Sequence, residues 1–238
     1  MPALTERDVA ATIDHAILKP ELTRPQVDAE LDIAAEWGVF SVCVRPSDIA
    51  HAVRRLEGTG VAVGTVIGFP HGTTSTAAKV AEVGQALADG AVEVDMVVNI
   101  GFLRSGFDDA VVDDIRAVVD AASGRIAKVI LETSYLDDEQ IARGSRLTEA
   151  GGAAFVKTST GFGGGGATVE HVRLMRASVG PGVQVKASGG VRGLETALAM
   201  LEAGATRLGT SASATILGEL RAIGSGAGPT GSRDDSSY

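Results

Sequence analysis

Two lysines stand inside short β-branched runs, where lysine is unusual. Lys157 lies in the run 154–160 and Lys186 in the run 183–188, although lysine is disfavoured in strands and is rarely buried without a partner. A buried ammonium group must find a counter-ion or lose its proton. Two such lysines close together would each lower the pKa of the other, and a neutral amine can attack a carbonyl carbon. Asp95 adds a carboxylate able to transfer protons.

A purely structural interpretation of these residues is a buried Lys–Asp ion pair that holds a core together. Side chains alternate between the two faces of a strand, and which charged residues share a face helps to decide between the structural and the catalytic interpretation. Asp95 shares one strand face with Glu93, and Lys157 shares one with Phe155. Glu132 shares its face with Lys128 and Ile130. With two lysines and two carboxylates on one inward side, the catalytic interpretation is favoured over the structural one.

Glycine-rich segments follow both lysine runs. They occupy residues 159–166 and 188–192, and a third short segment, 208–211, ends the last β-branched run. Glycine lets backbone N–H groups approach an anion, and a following helix N-terminus adds positive charge. The alternative is that these glycines only permit tight turns. In barrel enzymes the loops after the seventh and eighth strands often bind phosphate, which favours the phosphate interpretation.

Eight β-branched runs alternate with helical patterns, and their centres lie about 25 to 35 residues apart, roughly the length of one strand–helix unit. The runs cover residues 13–18, 40–44, 61–69, 92–99, 127–133, 154–160, 183–188 and 206–211. This repeat predicts an α/β fold, a single-domain (β/α)8 TIM barrel with a short N-terminal helix. A doubly wound open sheet is the main rival, but no GxGxxG follows the first run.

Helix start and stop signals support the repeat. Thr23 with Gln26, and Asp137 with Gln140, match capping boxes. Glycines close several helices, for example at Gly38. We expect the catalytic barrel to span residues 1–223, and residues 224–238, rich in Gly and Ser, to form a flexible C-terminal tail.

Composition narrows the class of protein. The chain has 238 residues, 45% of them hydrophobic, and a formal net charge of −9, with one cysteine. A single cysteine excludes intrachain disulfides and cysteine-based metal clusters. An acidic chain with few aromatic residues is a poor nucleic-acid binder. No apolar run is long enough for a membrane span, and the first residues lack a secretory signal. We therefore expect a cytoplasmic protein with no nucleic-acid or membrane partner.

Three motifs resemble the deoxyribose-phosphate aldolase family. They are Glu93–Asn99 (EVDMVVN), Phe155–Gly161 (FVKTSTG) and Val185–Arg192 (VKASGGVR). Ile13-Asp14-His15 with Leu18-Lys19-Pro20 is similar to the first strand of that family, and the resemblance extends over residues 10 to 220 or so. It implies a class I aldolase without metal or other cofactor. The implied reaction is reversible cleavage of 2-deoxy-D-ribose 5-phosphate to acetaldehyde and D-glyceraldehyde 3-phosphate.

The resemblance also implies roles for individual residues. Lys157 would form the Schiff base, Lys186 would tune the pKa of Lys157 and join proton transfer, and Asp95 would donate and accept protons through water. Asp14 would either bind substrate hydroxyls or serve in a turn or ion pair. Tyr238, in the tail, would assist proton transfer at the enamine carbon. The residues expected at the phosphate end are Gly161, Gly189, Gly190, Arg192, Gly209 and Ser211.

Two positions depart from the pattern of some family members. Phe162 stands where some have lysine, and Ala212 where some have serine. These differences concern phosphate affinity rather than the aldol step. Two other functions remain open from the residues themselves. One is another Schiff-base sugar-phosphate aldolase or a transaldolase-like barrel, and the other is a non-catalytic barrel that binds phosphorylated metabolites. The substrate partners would be small phosphorylated sugars and aldehydes, and the chain could form a homo-oligomer.

Overall fold

Eight parallel strands form a closed barrel in a computed structural model that describes residues 4–225. Each strand pairs with the next one in the sequence, and the last pairs with the first, for example Ile13 with Leu208. The strands are β1 Ile13–Ile17, β2 Ser41–Val44, β3 Ala62–Ile67, β4 Glu93–Val97, β5 Ile126–Ile130, β6 Phe155–Lys157, β7 Gln184–Ser188 and β8 Arg207–Thr210. The predicted barrel is confirmed, and its closure excludes the open sheet.

Helices surround the strands. Within residues 4–225 they are α1 Glu6–Ala10, α2 Arg24–Trp37, α3 Ile49–Arg55, α4 Thr76–Ala88, α5 Ile100–Ser105, α6 Asp108–Ala121, α7 Asp138–Ala150, α8 Val169–Ser178, α9 Leu194–Glu202 and α10 Ser213–Gly224. Short 3-10 turns occur at Pro46–Asp48 and Thr133–Tyr135. The short N-terminal helix, α1, is thus present as predicted.

The sequence explains where the helices begin and end. Both predicted capping boxes form, Thr23 with Gln26 before α2 and Asp137 with Gln140 before α7. α2 ends at Trp37 and is capped by Gly38, whose φ of 58° is the left-handed conformation that costs glycine little. These local signals fix the helix ends. The apolar faces of the helices cover the outside of the barrel.

The two faces of each strand have different surroundings. On β4, Val94 and Met96 point outward into the main hydrophobic core beneath the helices, and both are fully buried. Glu93 and Asp95 alternate with them and point into the barrel, where they meet charged partners. The predicted alternation is therefore correct for β4, and it carries charged groups into the buried interior of the barrel.

The predicted C-terminal tail lies outside the described residues, apart from Gly224 and Ser225. Gly224 is the last residue of α10, so the helix runs one residue past the predicted boundary. Tyr238 lies outside the described residues as well. No helix within residues 4–225 is both long enough and apolar enough to cross a membrane.

One glycine after β3 allows a close approach between loops. Gly72 has a φ of 70°, and a Cβ added there would lie 2.0 Å from the carbonyl oxygen of Val98. We expect Gly72→Ala to lower the free energy of unfolding by roughly 2 to 5 kcal/mol, because backbone strain and overpacking add. Gly58→Ala is the matched control: its φ is 79° but nothing lies within 4 Å of the added atom, so the loss should be about 1 to 2 kcal/mol. Urea denaturation measures both, and equal losses would contradict the contact argument.

Candidate active site

Lys157 is the last residue of β6, at the carboxyl end of the barrel strands, and only 3% of it is exposed. Its Nζ donates a hydrogen bond of 2.8 Å to Asp95 Oδ2. Burial lowers the pKa of Lys157, Asp95 opposes this effect, and the nearby Lys186 ammonium adds to it, so that the pKa lies below that of an ordinary lysine. A neutral amine is therefore more accessible here than on a surface lysine.

Asp95, in the middle of β4, is the centre of the polar cluster. Its Oδ2 accepts hydrogen bonds of 2.8 Å from both Lys157 and Lys186, and its Oδ1 accepts one of 2.8 Å from Lys128. Burial alone would raise the pKa of Asp95, but the three ammonium groups outweigh burial and hold it well below its usual range. Asp95 is therefore a carboxylate shared by three lysines.

Lys186 behaves differently from Lys157. Its Nζ lies 2.5 Å from Asp14 Oδ2 and 2.8 Å from Asp95 Oδ2. Burial favours the neutral amine, but the two carboxylates outweigh burial and raise the pKa of Lys186. The expectation that each lysine lowers the pKa of the other is correct for Lys157 and wrong for Lys186, because Lys186 has a second carboxylate of its own.

Asp14, on β1, takes part in ion pairs. Besides Lys186, its carboxylate contacts Arg207 Nη1 at 2.5 Å and accepts a hydrogen bond of 2.6 Å from Ser41 Oγ. Burial opposes ionisation, but Lys186, Lys128 and Arg207 together lower the pKa of Asp14. Of its two predicted roles, the ion pair is the one observed. Asp14 also lines the cavity beside Lys157.

Three charged residues of this cluster were not among the predicted site residues. Lys128 Nζ lies 2.5 Å from Glu93 Oε2, and Arg207 Nη2 lies 3.3 Å from Glu93 Oε1. The Arg207 guanidinium also stacks on the ring of Phe40, 3.6 Å from its centroid. Lys128 and Glu93 carry the same signal as Lys157, a charge on the inward side of a strand, and weighing every strand in this way would have found them.

A narrow cavity lies beside Lys157 at the carboxyl ends of the strands. It is lined by Asp14, Ala16, Leu18, Cys43, Lys157, Thr160, Lys186, Ser188 and Gly209. A Cβ at Gly209 would lie 2.3 Å from Ser188 Oγ, so only glycine fits at this position without a shift. Of the predicted phosphate residues, Gly209 therefore lies at the cavity.

The other predicted phosphate residues lie in loops at the same end of the barrel but do not line this cavity. They are Gly161, Gly189, Gly190, Arg192 and Ser211. Packing between loops explains why part of the glycine-rich segment is glycine. A Cβ at Gly166 would lie 2.5 Å from the Gly189 carbonyl oxygen, and Ala167 N donates to that same oxygen at 3.0 Å. Close contact between the two loops therefore explains Gly166 without any ligand.

Glu132 is not on the inward face of a strand, contrary to the prediction. β5 ends at Ile130, and Glu132 has a φ of 57°, so strand alternation no longer applies. Its Oε2 accepts hydrogen bonds from the backbone N and the Oγ1 of Thr160. Burial raises its pKa, although the bonds from Thr160 oppose the shift. Glu132 and Phe162 line a second cavity of about 290 Å³ on the other side of Thr160.

The fold and this cluster together define a class: a (β/α)8 barrel with a buried lysine of lowered pKa at the end of its sixth strand. A family model described as "DeoC/LacD family aldolase" matches residues 9–225. The chain belongs to this family of aldolases, and it is accordingly a lyase that makes and breaks carbon–carbon bonds.

Individual relatives agree with the family match. Deoxyribose-phosphate aldolase 2 of Staphylococcus aureus (strain MRSA252) is 54% identical over 213 residues, which are 90% of this chain and 97% of that protein. Deoxyribose-phosphate aldolase of Staphylococcus haemolyticus (strain JCSC1435) is 52% identical over 208 residues, 87% of this chain and 94% of that protein. The tetrameric deoxyribose phosphate aldolase of Aeropyrum pernix superposes with a TM-score of 0.85 at 31% identity, covering 92% of this chain and 93% of that one.

The single cysteine gives a direct test of the electrostatics of the cavity. Burial and the neighbouring Asp95 raise the pKa of Cys43 to about 11, so its thiolate forms only at high pH. The pH profile of alkylation by iodoacetamide in the folded chain should therefore have a midpoint near 11. In the chain unfolded by urea it should lie near 8.5. Mass spectrometry reports the reaction, and a midpoint near 8.5 in the folded chain would contradict this description of the cavity.

Proposed function

We propose that this aldolase reversibly cleaves 2-deoxy-D-ribose 5-phosphate to acetaldehyde and D-glyceraldehyde 3-phosphate through a Schiff base on Lys157. The observation that carries the proposal is the buried Lys157 amine, whose pKa is lowered and whose Nζ contacts a carboxylate shared with Lys186. The names of the Staphylococcus relatives support the choice of substrate. No cofactor is needed, because a protonated imine is itself the electron sink.

The reaction follows from the chemistry of the imine. The neutral amine of Lys157 adds to the aldehyde carbon C1 of the open-chain sugar. Protonation of the resulting carbinolamine and loss of water then give a protonated imine. A base removes the proton of the C3 hydroxyl, the C2–C3 bond breaks, and its electron pair moves into an enamine. D-Glyceraldehyde 3-phosphate leaves. Protonation of C2 and hydrolysis then release acetaldehyde and restore the amine, so that one sugar phosphate yields two aldehydes.

Asp95 and Lys186 are the proposed proton-transfer groups. Asp95 Oδ2 accepts a hydrogen bond of 2.8 Å from each of the two lysines. A proton released by either lysine can therefore move to Asp95, which is also hydrogen-bonded to the other lysine. Because the pKa of Asp95 is well below its usual range, this carboxylate passes protons on to its partners and to water rather than storing them. Lys186 lowers the pKa of Lys157 and supplies the positive charge that balances Asp95.

The phosphate end of the substrate would lie at the loops after β6, β7 and β8. The residues proposed to contact it are Gly161, Gly189, Gly190, Arg192, Gly209 and Ser211. Gly209 lines the Lys157 cavity, which supports the placement of the phosphate group at this side of the barrel mouth. Phe162 packs edge-on against Phe69, with ring centroids 5.4 Å apart, and supplies no charge for phosphate.

We further propose that Tyr238 assists proton transfer, that the protein is cytoplasmic, and that it self-associates.

Trapping of the imine tests the proposal. Acetaldehyde with borohydride should place an ethyl group on Lys157, and peptide mass spectrometry should find it there at aldehyde concentrations that leave the partly exposed Lys19 unmodified. Lys157→Met should abolish this adduct. Trapping only with dihydroxyacetone or a longer sugar would point to another Schiff-base aldolase. An absence of any preferred adduct would point to a non-catalytic barrel that binds phosphorylated metabolites.

The role of Lys186 has its own test. Lys186→Met should reduce kcat/KM at neutral pH by at least about a hundredfold, because Lys157 then shares Asp95 with one cation fewer and keeps its proton to higher pH. The activity should partly recover as the pH rises.

Lys79→Met is the matched control, since Lys79 is an equally buried lysine that donates to Asp114 and the Val97 carbonyl outside the barrel interior. It should lose stability but keep the wild-type pH profile. A loss below about tenfold in Lys186→Met would contradict the tuning role.

A further inference from the structure

Arg207 makes no ion pair with Lys157 itself yet belongs to the same ion-pair network. It is the first residue of β8, whereas Lys157 is the last residue of β6. Its guanidinium contacts Asp14 Oδ1 at 2.5 Å and Glu93 Oε1 at 3.3 Å, and it stacks on Phe40. Only 6% of Arg207 is exposed. Nothing in the aldol reaction touches this side chain, so its burial calls for another reason.

The charges of the network do not balance when every group is ionised. The ion pairs within 4 Å join four cations and three carboxylates, namely Lys128, Lys157, Lys186 and Arg207 with Asp14, Glu93 and Asp95. An uncompensated charge in a water-poor interior is costly, and a buried lysine can avoid the cost by losing its proton. Arginine cannot do so, because its pKa is too high.

The ion pairs also decide which lysine loses its proton most readily. Lys128 contacts Glu93 at 2.5 Å and Asp95 at 2.8 Å, and Lys186 contacts Asp14 and Asp95. Among the described residues, Lys157 has one carboxylate within 4 Å, Asp95, which it shares with both other lysines. It is the least compensated of the three ammonium groups, so it gives up its proton most readily.

We propose that Arg207 is a positioning residue that makes Lys157 easier to deprotonate by occupying Asp14 and Glu93. These two carboxylates then cannot fully neutralise Lys186 and Lys128, which are left to share Asp95 with Lys157. Without Arg207, three carboxylates would face three lysines, and each lysine would have a carboxylate to itself. Lys157 would then remain protonated to a higher pH. The inference rests on the proposed function only in taking Lys157 as the nucleophile.

Two further titratable groups lie near Lys157 without an ion pair to it, Cys43 and Glu132. Cys43, on β2, is a neutral thiol at physiological pH because its pKa is raised to about 11. Glu132, which follows β5, bonds to Thr160 and lies within 4 Å of none of the four cations in the described part of the chain. β3 faces the interior with Gly64 and Val66, which carry no charge. Within residues 4–225 the seven groups named above are therefore the ones that ion pairs join into the network of Lys157, while Glu132 acts on it over a longer distance.

The test compares Arg207→Met with Arg207→Lys. The pH dependence of Lys157 acylation by acetic anhydride, followed by peptide mass spectrometry, gives the midpoint of its titration without any substrate. Removing one charge across a protein interior changes a midpoint by about one pH unit. Arg207→Met should therefore raise the midpoint by about one unit and lower kcat/KM at pH 7 by about tenfold, with recovery at higher pH. Arg207→Lys keeps the charge and should keep the wild-type midpoint.

A second substitution should shift the midpoint of the Lys157 titration in the opposite direction. Glu93→Gln removes a carboxylate, so Arg207 and Lys128 draw more on Asp14 and Asp95, and the Lys157 midpoint should fall. Arg207→Met with Glu93→Gln leaves three lysines and two carboxylates, one positive charge in excess as in the wild type, and the midpoint should return toward the wild-type value. Glu93→Gln alone also carries the test if Arg207→Met does not fold.

The proposal would be overturned if Arg207→Met and Glu93→Gln both kept the wild-type midpoint of Lys157 and only lowered the melting temperature. Arg207 would then be a purely structural residue. The same result with normal acetaldehyde trapping on Lys157 would leave the proposed function intact. Shifted midpoints without any trapping on Lys157 would instead support the charge network and contradict the proposed function.

Discussion

A single carboxylate, that of Asp95, holds three ammonium groups inside the barrel, and the rest of the site depends on this sharing. Its two oxygens receive hydrogen bonds of 2.8 Å from Lys128, Lys157 and Lys186. One negative charge cannot neutralise three positive ones. Lys157, which has no other carboxylate within 4 Å in residues 4–225, therefore has the lowered pKa. The barrel provides this arrangement because β4, β5, β6 and β7 are consecutive neighbours, which brings their inward side chains together.

The same cluster shows how the fold and the chemistry constrain each other. An ordinary barrel interior is filled with branched apolar side chains, whereas here charged groups fill much of it and the main apolar core lies outside the strands. Such ions are costly to bury unless each has partners. Arg207 and Glu93 begin their strands and Lys157 ends its strand, so the network links the amino-terminal end of the barrel to the reacting end.

Much of this was predictable from the sequence, because the responsible signals are local. Eight β-branched runs with capping boxes between them give the barrel, and a lysine inside a strand is rare enough to mark Lys157 and Lys186. What local signals cannot give is which partner each charge finds. The raised pKa of Lys186 depends on Asp14, 172 positions earlier in the chain, and Glu132 leaves the strand alternation because β5 ends two residues before it. Arg207 was missed since an arginine at the start of a strand usually faces solvent.

The charge state of Lys157 is the central claim, and its titration by NMR measures that state most directly. With 13C at the ε carbon of every lysine, and Lys157 assigned from the spectrum of Lys157→Met, the chemical shift of this carbon can be followed against pH. The account predicts a midpoint below the value near 10.4 of a free lysine, while Lys186 titrates above it or not at all before the protein unfolds. A Lys157 midpoint at or above the ordinary value in the folded protein would contradict the account.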